Sequence, residues 1–147
     1  MRIWSRRGNH ALSSALVVLG LAQGMAHARE AVICHTTYGG ETRRLSAAPV
    51  GSPYSVGTVD IGSYFRFRIV FRNRPADLAS IKVYTYADMD DGPVLLHQAT
   101  YRYPPVAGKK HSHGFSGLQF VYEPLRDGEL HYWCEWLPVA PQRTKGK

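Results

Sequence analysis

Two histidines separated by a single residue are the first candidates in this sequence for a chemical function. His111 and His113 lie in a polar stretch next to two lysines. In an extended segment, side chains at positions i and i+2 project to the same side, so both imidazoles could bind one copper or zinc ion. A complete site needs further ligands, and the candidates are His35, His97 and His131. The competing interpretation is a solvated basic loop, which is favoured because an isolated H-x-H pattern is common.

Alternating arginines and tyrosines in two neighbouring segments form a second candidate. Residues 64–72 place phenylalanine and isoleucine at one set of alternate positions and arginine at the other, and residues 80–87 alternate in a similar way. If both segments are strands, one face of each is core and the other meets water or a partner. The predicted partner-binding residues on the outward face are Tyr64, Arg66, Arg68, Arg72, Tyr84 and Tyr86.

Such a face suits an anionic ligand, because guanidinium groups bind anions and aromatic rings stack on sugars and on guanidinium groups. The alternative is a solvated face whose arginines pair with carboxylates on a neighbouring strand, which is the more ordinary outcome. The chain nevertheless has nine tyrosines, more than one small core needs, and exposed tyrosine favours recognition.

Catalytic motifs are poorly represented. The sequence GFSG at residues 114–117 is one residue short of a nucleophile elbow, and GKK at residues 108–110 lacks the rest of a phosphate-binding loop. The two cysteines are too distant in sequence for a C-x-x-C redox motif. We therefore predict a protein that is not an enzyme.

Cys34 and Cys134 are the only cysteines, 100 residues apart. Residues 130–136 alternate so that Cys134 shares a face with Leu130, Tyr132 and Trp136, the pattern of a half-buried strand. An even pair in an exported protein predicts a disulfide, here one that joins the first strand to the last. For a loop of this length, chain entropy alone gives an upper figure of about 4 to 5 kcal/mol of stabilisation.

The amino terminus predicts export. Three arginines precede an apolar run over residues 11–22, and Ala26-His27-Ala28 provides small residues where signal peptidase cleaves, so residues 1–28 are predicted to be a cleaved signal peptide. The run is too short for a membrane span, and Ile33 before Cys34 argues against a lipid-attached cysteine. The remaining 119 residues carry fifteen basic and eleven acidic side chains, a net charge of +4. This mild excess favours acidic surfaces without implying nucleic acid.

Strand patterns and turn residues alternate along the rest of the chain. Short strand-like runs begin near residues 30, 42, 54, 64, 80, 94, 118 and 129, separated by segments rich in glycine, proline and aspartate. Residues 80–87 and 94–103 are predicted to form a hairpin across an acidic turn. The expected fold is an all-β antiparallel sandwich of seven to eight short strands over residues 29–137, with a small barrel as the alternative and residues 138–147 as a basic flexible tail.

Tyr132, two residues before Cys134, is similar to the tyrosine corner of immunoglobulin-like domains. The resemblance covers about seven residues. The family's core tryptophan has no counterpart after Cys34, and a disulfide between the first and last strands differs from the immunoglobulin one. The resemblance therefore implies the sandwich architecture alone.

Together these patterns predict a small exported binding or structural module of the bacterial cell envelope, located in the periplasm or secreted. Its expected partner is an envelope protein or an anionic polymer, held without a cofactor. The alternative function is a periplasmic copper- or zinc-binding protein that uses His111 and His113.

Overall fold

A computed structural model describes residues 29–106 and 113–139 as two antiparallel four-stranded sheets packed face to face. The first sheet has the strand order β2-β1-β8-β7 and the second has the order β3-β4-β5-β6. The strands are β1 (Ala31–Tyr38), β2 (Glu41–Ala47), β3 (Val59–Ile61), β4 (Phe65–Arg72), β5 (Ser80–Ala87), β6 (Val94–Arg102), β7 (Gln119–Glu123) and β8 (Gly128–Leu137). The predicted sandwich is confirmed. Because the described strands of the two sheets share no ladder, the alternative barrel is wrong.

Alternating apolar residues from both sheets fill the space between them. Phe65, Phe67 and Phe71 of β4 have no solvent exposure, and Leu130 and Tyr132 of β8 oppose them from the first sheet, also fully buried. The rings of Phe67 and Tyr132 meet edge to face at 5.2 Å, a geometry that adds a specific aromatic contribution to the burial of apolar area. The core thus fixes which face of β4 and β5 points outward.

The predicted disulfide is present. Cys34 of β1 lies directly opposite Cys134 of β8 with Cα atoms 4.1 Å apart, and both residues are fully buried. The bond joins neighbouring strands within one sheet, whereas the immunoglobulin disulfide joins two sheets. It therefore fixes the pairing of the first and last strands of the sandwich.

Residues 113–117 pack closely against Cys134. The Phe115 amide donates to the Cys134 carbonyl at 3.0 Å, and the Cys134 amide donates to Ser116 Oγ at 2.7 Å. Gly114 adopts a positive φ of 56°, and a Cβ atom there would lie 2.1 Å from the Cys134 oxygen. Only glycine fits this close approach.

Glu30 joins the ends of three strands. Its carboxylate accepts hydrogen bonds from Tyr103 Oη at 2.5 Å, Trp136 Nε1 at 2.9 Å and Asn73 Nδ2 at 3.0 Å. These donors come from segments that follow β6 and β4 and from β8 itself, so one carboxylate bridges both sheets. The hydrogen bond to the carboxylate, together with burial, raises the pKa of Tyr103 to about 12.

One sequence expectation fails in detail. The third strand is not continuous from residue 54: Pro53–Ser55 is a 3-10 turn capped by Ser52 Oγ, and β3 covers only Val59–Ile61. A proline after a capping serine starts such a turn more readily than a strand. The hydroxyl of Tyr132, the residue that is similar to a tyrosine corner, bonds to His97 Nε2 of the opposite sheet at 2.9 Å.

Other expectations hold or lie outside the described residues. β5 and β6 form the predicted hairpin, with a register shift beside Thr85 and Tyr86. No helix within residues 29–106 and 113–139 is long and apolar enough to cross a membrane. The predicted signal peptide and residues 140–147 of the predicted tail are outside the described residues.

Replacing Glu30 with glutamine should loosen this closed end of the sandwich. We expect Glu30→Gln to lower the free energy of unfolding by about 2 kcal/mol, because hydrogen bonds to a charged acceptor become weaker ones. The pKa of Tyr103 should fall towards its ordinary value of about 10, which a phenolate absorbance titration measures. Glu41→Gln at the exposed start of β2 is the control and should change neither quantity.

The sign of the pH dependence follows from the raised pKa of Tyr103. Below about pH 10 the folded and unfolded chains both keep the phenol proton, so this contribution to stability is fully present. As pH rises from there through about 12, the unfolded chain loses a proton that the folded chain keeps, and stability falls. Chemical denaturation across this range should show a smaller alkaline loss in Glu30→Gln than in the parent. An equal loss in both would contradict the assignment.

Candidate functional site

The outward face of the second sheet collects most of the predicted binding residues. In the β4–β5 ladder, Arg66 lies opposite Tyr86 and Arg68 opposite Tyr84, while Arg72 lies two residues beyond the buried Val70. The phenylalanines between these arginines point into the core, so the arginines must point outward. Five of the six predicted residues therefore share one face.

Arg66 is neutralised by neighbouring carboxylates. Its Nε atom lies 2.9 Å from Asp88 Oδ1 and 3.5 Å from Asp60 Oδ1, although the N–H bond is not aligned with either oxygen. Asp60 is the cross-strand neighbour of Arg66 on β3. The geometry of Arg66 is therefore that of the alternative interpretation, in which a surface arginine pairs with neighbouring carboxylates.

Arg68 holds a loop in place. Its Nε donates to the Val56 carbonyl at 2.9 Å and its Nη2 donates to the Pro53 carbonyl, while its guanidinium carbon lies 5.2 Å from the centre of the Tyr84 ring. The 3-10 turn Pro53–Ser55 is thereby fixed over the outward face of β4. Backbone carbonyls accept hydrogen bonds from two nitrogens of Arg68 without cancelling its charge.

A groove of about 320 Å³ opens between this loop and the segment after β4. The lining residues are Pro53, Tyr54, Arg68, Val70, Arg72, Leu78, Ser80, Lys82 and Tyr84. Three of them are cations and none is a carboxylate. We call this site the cationic groove.

Arg72 is the most distinctive residue of the cationic groove. Its Nε atom is buried and has no hydrogen-bond partner among the described residues. Buried donors in native proteins nearly always have an acceptor, so an unpartnered one marks a place where a ligand or solvent oxygen belongs. Lys82, which forms no ion pair within the described part of the chain, lines the same groove. Arg72 and Lys82 are thus two cations of the groove that no carboxylate neutralises within the described part of the chain.

The tyrosines divide between the groove and its surroundings. Tyr84 lines the groove and stacks on Tyr86 at 6.2 Å, while Tyr54 stands on the loop with 93% of its surface exposed. Tyr64 precedes β4 at its far end, where the guanidinium of Arg126 covers its ring at 4.7 Å. Tyr64 does not line the groove.

The histidines do not form a described metal centre. His111 lies outside the described residues, and His113 stands edge-on to Trp133 with ring centres 6.0 Å apart. Each of the three proposed extra ligands has a hydrogen-bond partner: His35 bonds to Glu135, His97 to Tyr132 and His131 to Glu129. Over residues 29–106 and 113–139, no three potential ligands come together. The copper or zinc site stays a prediction.

Sequence reasoning missed Lys82, Leu78 and Tyr54 as groove residues. Lys82 alternates outward with Tyr84 on β5, so strand periodicity could have found it. Leu78 and Tyr54 come from irregular segments, whose path over the sheet no local pattern predicts.

The comparisons with known proteins give no relatives: no family model, no curated protein and no solved structure matches this chain. Function must therefore be inferred from the chain's own residues.

The different roles of Arg68 and Lys82 can be separated by stability measurements. Arg68→Met should lower the free energy of unfolding by about 1 to 2 kcal/mol, because it leaves two carbonyls without their donors and releases the loop. Lys82→Met, the matched control in the same groove, should stay within about 0.5 kcal/mol of the parent. Urea denaturation followed by tryptophan fluorescence measures both. Equal effects would show that Arg68 does not hold the loop.

Proposed function

We propose that this protein is a non-catalytic binding module of the bacterial cell envelope that holds an anionic polymer in the cationic groove. Export to the periplasm or the exterior is part of the proposal. It is supported by the signal-like pattern of residues 1–28 and by the Cys34–Cys134 disulfide, since such bonds persist in oxidising compartments. The disulfide also suits a small domain that must stay folded outside the cell.

The observation that carries the proposal is the unbalanced positive charge of the groove. Arg68, Arg72 and Lys82 line it together, and its lining includes no acidic side chain. In contrast, Arg66 on the same sheet face already has two carboxylates within 4 Å. The sheet thus neutralises one arginine internally and leaves the charge of its neighbours for a ligand.

The apolar parts of the groove favour a polymer with ring faces over a bare inorganic ion. Val70 forms a buried floor, and the exposed side chains of Tyr54 and Leu78 and the half-buried ring of Tyr84 stand around it. A sugar acid offers both a carboxylate and an apolar ring face, which matches cations set among tyrosines. An acidic segment of an envelope protein is the alternative ligand, and it would use the same cations.

Charge reversal inside the groove tests this function. Lys82→Glu should weaken binding of polygalacturonate about tenfold or more at low salt, because it removes an attraction and adds a repulsion. Isothermal titration calorimetry measures the affinity, with polyphosphate and polyglutamate as further probes. Added salt should lower the affinity for each of these polymers whose binding depends mainly on surface charge. Tighter binding of polyglutamate than of polygalacturonate would indicate that the ligand is an acidic protein segment and not an anionic polymer of sugar acids.

Arg44→Glu is the matched control for this experiment. Arg44 lies on the outward face of the first sheet, with 64% of its side chain exposed. Arg44→Glu changes the net charge of the protein by the same amount as Lys82→Glu. If Arg44→Glu weakens binding as much as Lys82→Glu, attraction is only general and the groove is not the site. No measurable binding of any of the three polymers by the parent would remove the proposal altogether.

A further inference from the structure

Each sheet of a sandwich has two edge strands, and most edges in this protein carry a feature that discourages pairing. β2 is charged, with Glu41, Arg43 and Arg44 exposed, and β3 has only three residues, one of them Asp60. The ladder that contains β6 is interrupted by a register shift beside Thr85 and Tyr86. Charges, short length and bulges are the known means by which edge strands avoid pairing with another chain.

β7 lacks these features. Gln119–Glu123 is regularly paired with β8 over all five residues, and it contains no lysine, arginine or proline. Its one charged residue, Glu123, is 1% exposed and accepts hydrogen bonds from the amides of Leu125 and Arg126. Phe120 and Tyr122 face outward instead, 58% and 53% exposed. Among the described residues, no strand pairs with the other side of β7.

We propose that β7 pairs antiparallel with β7 of a second copy of this chain. A two-fold axis through Val121 places Val121 opposite its own copy and Phe120 opposite Tyr122 of the second copy. Paired residues of antiparallel strands lie on the same side of a sheet, so the Phe120–Tyr122 pair lies on the outward face and forms twice. Aromatic pairs directly across an antiparallel ladder are among the stabilising ones.

Self-pairing fits the sequence of β7 better than pairing with an unrelated strand does. The five residues read polar, aromatic, apolar, aromatic and polar, and so are nearly symmetric about Val121. The same register sets Gln119 opposite Glu123 of the second copy, which brings no two like charges together. Leu118 and Leu125, 38% and 72% exposed at the two ends of β7, extend the apolar surface on either side.

The symmetry has a consequence for the second sheet. The two-fold axis of an antiparallel pair within a sheet is perpendicular to that sheet, so the dimer has one continuous eight-stranded sheet made from both first sheets. Both second sheets then lie on the same side of it, and both cationic grooves face the same direction. If the proposed function holds, one polymer chain can occupy both grooves and gain from bivalency. The pairing itself does not depend on that function.

A charge placed on the edge tests the pairing. Sedimentation velocity over a concentration series should show a reversible monomer–dimer equilibrium for the parent, and Phe120→Lys should shift it to monomer at every concentration. Leu95→Lys on β6, a residue of similar exposure, is the matched control and should leave the dimer intact. Circular dichroism and a thiol count establish that each variant is folded and oxidised. A parent that is monomeric at the highest attainable concentration, or a dimer that survives Phe120→Lys, would overturn the proposal.

The register is tested separately by cross-linking. Phe120→Cys mixed with Tyr122→Cys should form a covalent dimer under mild oxidation more readily than either variant alone, because the two positions face each other only between copies. Cross-linking that is equal in all three samples, or absent from the mixture, would contradict the two-fold axis through Val121. Neither experiment uses a ligand, so failure of the pairing is distinguishable from failure of the groove.

Discussion

The bond between Cys34 and Cys134 holds together the two strands of the sandwich that are farthest apart in sequence. The first and last strands are adjacent and central in one sheet, a pairing that links residues 100 positions apart and costs the most chain entropy of any in the fold. Once oxidised, the chain keeps this contact even when unfolded, so the entropy is not lost again on refolding. β2 and β7 then complete the sheet on either side, each next in sequence to the strand that it pairs with.

The second sheet is attached to the first by apolar packing and by several polar contacts, among them the hydrogen bond that Arg43 Nη1 of β2 donates to the Asp60 carbonyl of β3 at 2.6 Å. Burial of the β4 phenylalanines stabilises the packing of the two sheets. Because the hydrophobic effect is not directional, it does not by itself fix the position of one sheet relative to the other. Glu30 at one end and the Tyr132–His97 hydrogen bond in the interior add directional contacts between the sheets. Burial lowers the pKa of His97 and raises the pKa of Tyr132, so both groups stay neutral where they meet. A neutral pair at this half-buried contact avoids the desolvation cost of a charge.

Strand identity was predictable from the sequence where alternation was strict, and the site was predictable only in part. β4, β5 and β8 follow from period-2 patterns because each has one buried face, and the same patterns place Arg68, Arg72 and Tyr84 outward. The path of residues 50–58 was not predictable, since a serine cap and a proline turn compete there with apolar residues typical of a strand. The groove depends on that path. Local patterns therefore predicted the strand residues that line the groove, but not the irregular segments that flank it.

The three arginines of β4 show why a charged sequence pattern alone does not determine a binding site. Arg66, Arg68 and Arg72 are equivalent by periodicity, yet carboxylates neutralise the first, carbonyls position the second, and the Nε of the third is left without a described acceptor. The difference comes from neighbours far away in sequence, Asp88 in one case and Val56 in another. Because a carbonyl is a dipole and not an anion, Arg68 both builds the wall of the groove and keeps its charge there. The irregular loop thus positions one cation of the groove, and a strand in place of that loop would leave Arg68 without these two carbonyl acceptors.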